Sequence, residues 1–265
     1  MKKIILSCCL ILTLQYAIAQ TDTIWHHKKC AVVLTYDDAL NIDIDNVAPA
    51  LDSLGLKGTF YLSNYTKTLD TRMDAWRKIA ATGHELGNHT FYHPCTGKIP
   101  GREFVNKQYD LSDYSIVRIT DEIRMMNTLL KSFDGKEYRT FAYPCGDTKI
   151  GDSSYIDPVK NEFTGARGTQ QEMPLIKEVD LYNIGCYAMN GQSGNEMISL
   201  VKQAMAEKRL LVFLFHGVGG DHSLNVTKEA HSALLHFLKT QEQNIWIATM
   251  TDVASYIKQY QSTLK

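Results

Sequence analysis

The chain reads as an α/β protein whose parallel strands close into a (β/α) barrel. Three observations predict it. Short apolar, β-rich runs alternate with helical patterns along most of the sequence, several of those runs are apolar at nearly every position, and no Pro/Gly-rich linker, low-complexity tract or internal repeat divides them. A strand apolar throughout is covered on both faces, as in a barrel with helices outside and a packed interior. A doubly wound open sheet satisfies the same alternation and is the competing topology.

Taken in order, strands are expected at AVVLTY (31–36), GTFYLS (58–63), HELGNHT (84–90), YRTFAYP (138–144), FTGARG (163–168), LYNIGCYAM (181–189), LLVFLFHG (210–217) and NIWIATM (244–250). Helical spacing fills VAPALDSLG, which stops at Gly55, DAWRKIAATG, which stops at Gly83, and ITDEIRMMNTLLKSF. The stretch from His93 to Ser115 shows neither period and reads as a functional loop after the third strand.

Ahead of the first strand, Lys2 and Lys3 precede an apolar run from Ile4 to Leu14 and an Ala17-Ile18-Ala19 cleavage signature. That pattern is a secretory signal peptide, which predicts a leader at 1–19, a single domain at 20–265 and a secreted or periplasmic location. An uncleaved anchor is the alternative; no second apolar run follows, so no membrane span is expected after cleavage. Loss of the leader removes Cys8 and Cys9 and leaves Cys30, Cys95, Cys145 and Cys186, which form no CxxC pair, and no disulfide is expected among them. With 28 Lys and Arg against 29 Asp and Glu, the chain carries no basic footprint for nucleic acid, and specificity has to come from a local site.

The local site begins at the end of the first strand. Asp37 and Asp38 stand side by side there, and two carboxylates in one partly desolvated pocket require a proton or a cation between them. The third strand ends in GNHTFYHP, which sets His89 and His93 four residues apart. One carboxylate and two imidazoles suffice for a catalytic divalent metal with positions left open for water and substrate. His216 follows six core residues and precedes a Gly-rich turn, a strand-end position that favours chemistry over packing.

TYDD, HTFYH, FAYPCG and LLVFLFHG, in that order, resemble the successive motifs of the polysaccharide deacetylases with a NodB-homology domain, carbohydrate esterase family 4. The resemblance runs from about Cys30 to Ile257 and implies a distorted (β/α) barrel of the NodB type and metal-dependent removal of acetyl groups from sugars. It implies that Asp37 is the catalytic base, that Asp38, His89 and His93 hold the metal, and that Thr90 orients a ligand. The backbone N–H of Cys145 would stabilise the oxyanion, His216 would act as general acid, Leu214 would receive the acetyl methyl, and Tyr143 would contact substrate. Zinc is the leading metal, with cobalt, nickel and manganese accepted by the same donors.

Two departures accompany the match. Where the family carries an arginine that pairs with the base, this chain has Ala142; Arg167 is the first candidate to replace it and Arg139 the second. The family's Asp–Trp motif, which tunes the acid, is not recognisable, leaving Asp180 as a weak stand-in. His84, His222, His231 and His236 match no motif and default to structural or exposed roles, as do His26 and His27. The expected activity is N-deacetylation of an amino-sugar glycan; an O-acetyl esterase acting on xylan or another glycan, and an inactive glycan-binding protein on the same barrel, are the rivals. The acetylated glycan is the only partner inferred. Its choice is assigned to the loops 93–115 and 146–158, with Tyr61, Tyr65, Tyr92, Tyr109 and Tyr155 as candidates to stack on sugar rings.

Overall fold

The computed structural model describes residues 24–264, so the leader expected at 1–19 lies outside the described residues. Eight strands form the main sheet: β1 (Cys30–Asp37), β2 (Thr59–Leu62), β3 (Glu85–Asn88), β4 (Arg139–Ala142), β5 (Phe163–Arg167), β6 (Tyr187–Ala188), β7 (Leu210–Phe215) and β8 (Ile245–Ile247). All pair in parallel, in the spatial order β5-β4-β3-β2-β1-β7-β6, with β8 beside the start of β1. The two ends of the sheet meet, because Ile184, just ahead of β6, bridges Arg167 of β5. The result is a curled, distorted barrel in one domain rather than an open sheet.

Helices α1 (Ala48–Ser53), α2 (Met73–Ala81), α3 (Ile116–Asp134), α4 (Gly194–Glu207), α5 (Lys228–Thr240) and α6 (Met250–Ser262) surround it. Side-chain oxygens of Ser115, Ser193, Thr227 and Thr249 accept from backbone N–H groups of the first turns of α3 to α6. Gly135, at φ 71°, ends α3 in the left-handed conformation that glycine adopts without a Cβ penalty. Among the described residues no helix is long and apolar enough to cross a membrane.

Period-two alternation in β1 builds two faces. Val32, Leu34 and Tyr36 join the cluster packed beneath α1, α2, α4 and α5, while Ala31 and Val33 join Leu210, Val212, Leu214 and the buried face of α6. Asp37 continues the second face, so the end of β1 delivers a carboxylate rather than another apolar group to the barrel interior. Each fully buried Leu or Val in these layers contributes about 1.5–3 kcal/mol, which makes the strand ends a rigid platform.

The opposite end of the barrel holds Glu85, 2% exposed. Its carboxylate accepts from the hydroxyls of Thr59, Thr140 and Thr251 at 2.9, 2.6 and 2.5 Å and from the backbone N–H groups of Thr140 and Thr251, both at 2.8 Å. These bonds tie β2, β3, β4 and the start of α6 together. One layer above, Gly87 makes room for Tyr61: a Cβ there would lie 2.4 Å from the Tyr61 ring.

Two expectations are corrected. LYNIGCYAM is a strand only at Tyr187–Ala188; the Asp180 side chain accepts from the Tyr182 N–H at 3.0 Å and turns the chain, and Gly185 backs onto the Gln170 carbonyl where a Cβ would come within 2.7 Å. Cys95 and Cys145 form a disulfide, Cα–Cα 5.8 Å, across 50 residues. They follow β3 and β4, which are neighbours in the sheet, a proximity created by topology and absent from sequence spacing. Cys30 and Cys186 are free and buried.

Candidate active site

The ends of β1, β3, β5 and β7 bring Asp37 and Asp38, His89 and His93, Arg167, and His216 to one mouth of the barrel. Oδ2 of Asp37 accepts from Arg167 Nη2 at 2.5 Å, and Oδ1 is buried with no hydrogen-bond partner. Arg167 is fully buried, donates from Nη1 to the Gly168 carbonyl at 3.0 Å, and lies 5.1 Å from the centre of the Tyr61 ring. Burial works against its charge, but Asp37 beside it outweighs that and raises its pKa above the usual arginine value. Ala142 of β4 and Arg167 of β5 are Cα partners in register, so the arginine missing from one strand is supplied at the same level by the next. Arg139 is engaged elsewhere, donating to Asp134 at 3.1 Å and to the Leu86 carbonyl at 2.7 Å.

Asp38, 4% exposed, sits among four imidazoles. Oδ1 faces Nε2 of His93 at 3.3 Å and of His89 at 3.7 Å; Oδ2 faces Nε2 of His222 at 3.8 Å and of His216 at 3.9 Å. Burial acts to raise its pKa, and the four rings, led by His93, more than offset it and hold the carboxyl below the ordinary value. His89 Nδ1 lies 2.8 Å from the Ala142 carbonyl, which can only accept, so Nδ1 carries the proton and Nε2 presents its lone pair. Burial, only partly offset by Asp37, pushes this imidazole down to about 4, which keeps it neutral. A lone pair on His89 therefore meets Asp38 Oδ1, itself buried without a hydrogen-bond partner. Two acceptors aimed at one point call for a cation, and the ligand atoms of Asp38, His89 and His93 all lie within 4.8 Å of one another. The residues present fit a divalent metal.

The backbone around this point is held in costly conformations. Asp38, Ala39, Thr90, His93 and Cys145 all have positive φ, between 54° and 78°, a concentration of strain typical of functional sites. Thr66 and Thr68 donate to the Ala39 carbonyl, both at 2.6 Å. The Thr90 hydroxyl accepts from the His93 N–H at 3.0 Å, and Glu122 of α3 accepts from the N–H groups of Phe91 and Tyr92 at 3.2 and 2.8 Å. Cys145 is fixed by its bridge to Cys95 and by Arg102, which donates to its carbonyl at 3.0 Å and is ion-paired with Asp147. Its thiol is thereby withdrawn from any chemistry.

Other expected residues sort by position. Leu214, 3% exposed, lies on the same interior alternation of β7 as Leu210 and Val212. Tyr143 does not reach the mouth: it is 2% exposed, packs with Phe141 and Tyr155, and donates its hydroxyl to the Tyr182 carbonyl at 2.7 Å. That corrects its assignment as a substrate contact, because alternation along β4 turns it outward, toward the cluster beneath α3. Asp180 caps a turn through Tyr182 and is not among the groups around His216. Burial pushes His216 below the usual histidine value, with Asp37 and Asp38 pulling it back, and its Nδ1 is buried without a partner. Tyr61 and Tyr155 are buried, whereas Tyr65, Tyr92 and Tyr109 line a cleft of about 340 Å³ that opens from Asp38 and His93. Tyr92 and Tyr109 are stacked with centroids 4.6 Å apart, and Phe104, 68% exposed, completes the wall.

His222 matches no sequence motif, yet it lines this cleft and stacks on His216 with centroids 4.6 Å apart. Its one signal was its place in HGVGGDH, a glycine turn after His216 on the loop leaving a core strand.

Comparison with known proteins agrees with the fold. The family model described as polysaccharide deacetylase matches residues 26–155. A gellan lyase from Bacillus sp is 23% identical over 88% of this chain and 10% of its own length. A peptidoglycan-N-acetylglucosamine deacetylase from Bacillus cereus is 29% identical over 31% of this chain and 29% of its own length, so the match spans less than a third of either relative. Among solved structures, one described as a putative polysaccharide deacetylase from Mycobacterium smegmatis superimposes with a TM-score of 0.65 at 13% identity, over 88% of this chain and 92% of that one. A family 4 pseudoenzyme from Bacillus anthracis shares the fold with a TM-score of 0.52 at 15% identity, over 86% of this chain and 66% of that one. With the motifs at strand ends and a curled barrel shared with a solved structure, residues 26–155 match the polysaccharide deacetylase family.

Proposed function

We propose that the protein is an exported, metal-dependent hydrolase that removes N-acetyl groups from an amino-sugar glycan. The carrying observation is the division of labour between two adjacent carboxylates: Asp37 is paired with Arg167 through one oxygen and free at the other, while Asp38 faces the imidazoles of His89 and His93. A divalent ion held by Asp38, His89 and His93, zinc first among the candidates, would supply Lewis acidity toward the acetyl carbonyl and the attacking water.

The chain's own residues account for the rest. Arg167 occupies Oδ2 of Asp37 and fixes the carboxylate, leaving Oδ1 to take a proton from the attacking water. The water oxygen bonds to the acetyl carbon, and the Cys145 N–H, in a turn locked by the disulfide, donates to the oxyanion. The C–N bond then breaks, His216 delivers a proton to the departing nitrogen, and acetate and a free amine leave. Leu214 receives the methyl, and Tyr65, Tyr92, Phe104 and Tyr109 offer ring faces to the sugar chain. The relative named as a peptidoglycan-N-acetylglucosamine deacetylase supports an amino-sugar substrate.

Mass spectrometry of chitooligosaccharides, peptidoglycan fragments and acetylated xylooligosaccharides, incubated with the zinc-loaded protein and with Asp37→Asn, tests the proposal. Acetyl loss from an amino sugar that requires Asp37 is the expected result. Loss from xylan alone would replace the amide with an ester, and no loss from any glycan would favour a binding protein.

A further inference from the structure

We propose that His222 is a further residue of this active centre, a neutral imidazole that donates a hydrogen bond from Nε2 to a sugar oxygen beside the scissile bond, next to the His216 that protonates the leaving nitrogen. The proposal rests on the deacetylase reading above.

The tautomer is set by the loop that carries the ring. Nδ1 of His222 accepts from the Leu224 N–H at 3.0 Å, so in the neutral ring the proton resides on Nε2. Nε2 of His222 lies 3.8 Å from Asp38 Oδ2, the same oxygen that His216 Nε2 faces at 3.9 Å. The two rings are nearly parallel, 15° apart, and so present their Nε2 atoms side by side. His89 shows the opposite arrangement: its Nδ1 bonds to a carbonyl and its Nε2 is a lone pair. The same chemistry that makes His89 a metal ligand makes His222 a donor and removes it from the ligand set.

The position is fixed rather than incidental. The loop lies between the paired segments Gly217–Val218 and Asn225–Val226, closed by Gly217 N–H to Leu224 O at 3.0 Å and Gly219 N–H to Val226 O at 2.8 Å. Asp221 accepts from the Ile42 N–H at 3.2 Å, tying the loop to the turn that follows Asp38. His222 lines the cleft, and its side chain is 26% exposed against 16% for His216, so it is open to a sugar bound there. A sugar hydroxyl beside the departing nitrogen can accept from this second N–H, which orients the glycan and leaves the single lone pair of the nitrogen to the His216 proton.

The test compares His222→Phe, which keeps a stacking ring without a donor, with His222→Gln, which restores an N–H at similar reach. The expected result is a fall of about 10- to 100-fold in kcat/KM for His222→Phe, recovery of most of it by His222→Gln, and zinc affinity unchanged in both. Long-range proton–nitrogen NMR of the histidine rings, which does not depend on turnover, is expected to show His222 with its proton on Nε2. Wild-type kcat/KM in His222→Phe, a loss of zinc affinity matching that of His93→Ala, or a proton on Nδ1 would each overturn the proposal. If the wild type removes no acetyl group from any glycan, it is the deacetylase reading that fails; if it is active and His222→Phe is equally active, only His222 is removed.

Discussion

The barrel buries carboxylates at both ends and treats them in opposite ways. At the floor, Glu85 is enclosed by three hydroxyls and two backbone N–H groups, all within 2.9 Å. At the mouth, Asp37 and Asp38 are equally buried, yet each keeps one oxygen without a hydrogen-bond partner. A buried acceptor left open costs roughly 1–3 kcal/mol, more when charged, so the mouth carries a cost that the floor avoids. The satisfied carboxylate is a rivet; the open ones are a site, one oxygen waiting for a cation and the other for a proton.

The largest effect that could break this contrast is at Asp37. Asp37→Asn is expected to lower kcat by about 10³-fold, and by leaving Arg167 without a counter-charge to cost about 3 kcal/mol of stability, read by steady-state kinetics and urea unfolding. A fully active variant would remove Asp37 as the base. Next comes the bridge beside the mouth. Replacing Cys95 and Cys145 by Ser frees a 50-residue loop and is expected to cost about 2–4 kcal/mol in urea unfolding, with activity falling because His93 and Cys145 lose their common clamp.

At the floor the expectation reverses. Glu85→Ala leaves the three threonines without their acceptor and is expected to cost about 3 kcal/mol of stability, while kcat/KM of the folded fraction and zinc affinity remain unchanged. A selective loss of zinc affinity in that variant would erase the distinction between the two ends.

The smallest effect concerns a buried histidine away from the mouth. His231 accepts from or donates to the Tyr36 hydroxyl at 2.8 Å, and burial pushes its pKa down to about 4. As pH falls below the ordinary histidine value the unfolded chain takes up a proton before the folded one. Stability is therefore complete above about pH 6.5 and declines toward pH 4, by about 2–3 kcal/mol. In His231→Phe that part of the acid dependence should vanish from urea midpoints measured across the interval.

Much of the mouth was legible because its residues occupy the ends of strongly apolar runs. Asp37 and Asp38 follow Tyr36, His89 and His93 bracket a turn, and His216 follows Phe215, so periodicity alone locates each one at a strand terminus. Arg167 was legible for the same reason, although its partnership with Asp37 depends on the register that sets it opposite Ala142. What escaped depends on tertiary placement. Cys95 and Cys145 meet because β3 and β4 are neighbours, and His222 enters the site because its glycine-rich loop folds back over His216. Tyr143 failed for a simpler reason: belonging to a motif does not say which face of the strand a side chain takes.

The most direct test of the central claim is zinc binding by isothermal titration calorimetry of the wild type, Asp38→Ala and Glu85→Gln. One zinc per chain, a loss of at least about 100-fold in affinity for Asp38→Ala and none for Glu85→Gln is the predicted result. Equal zinc affinity in Asp38→Ala and the wild type would contradict it, because the open oxygen at the mouth would then not be the place of the cation.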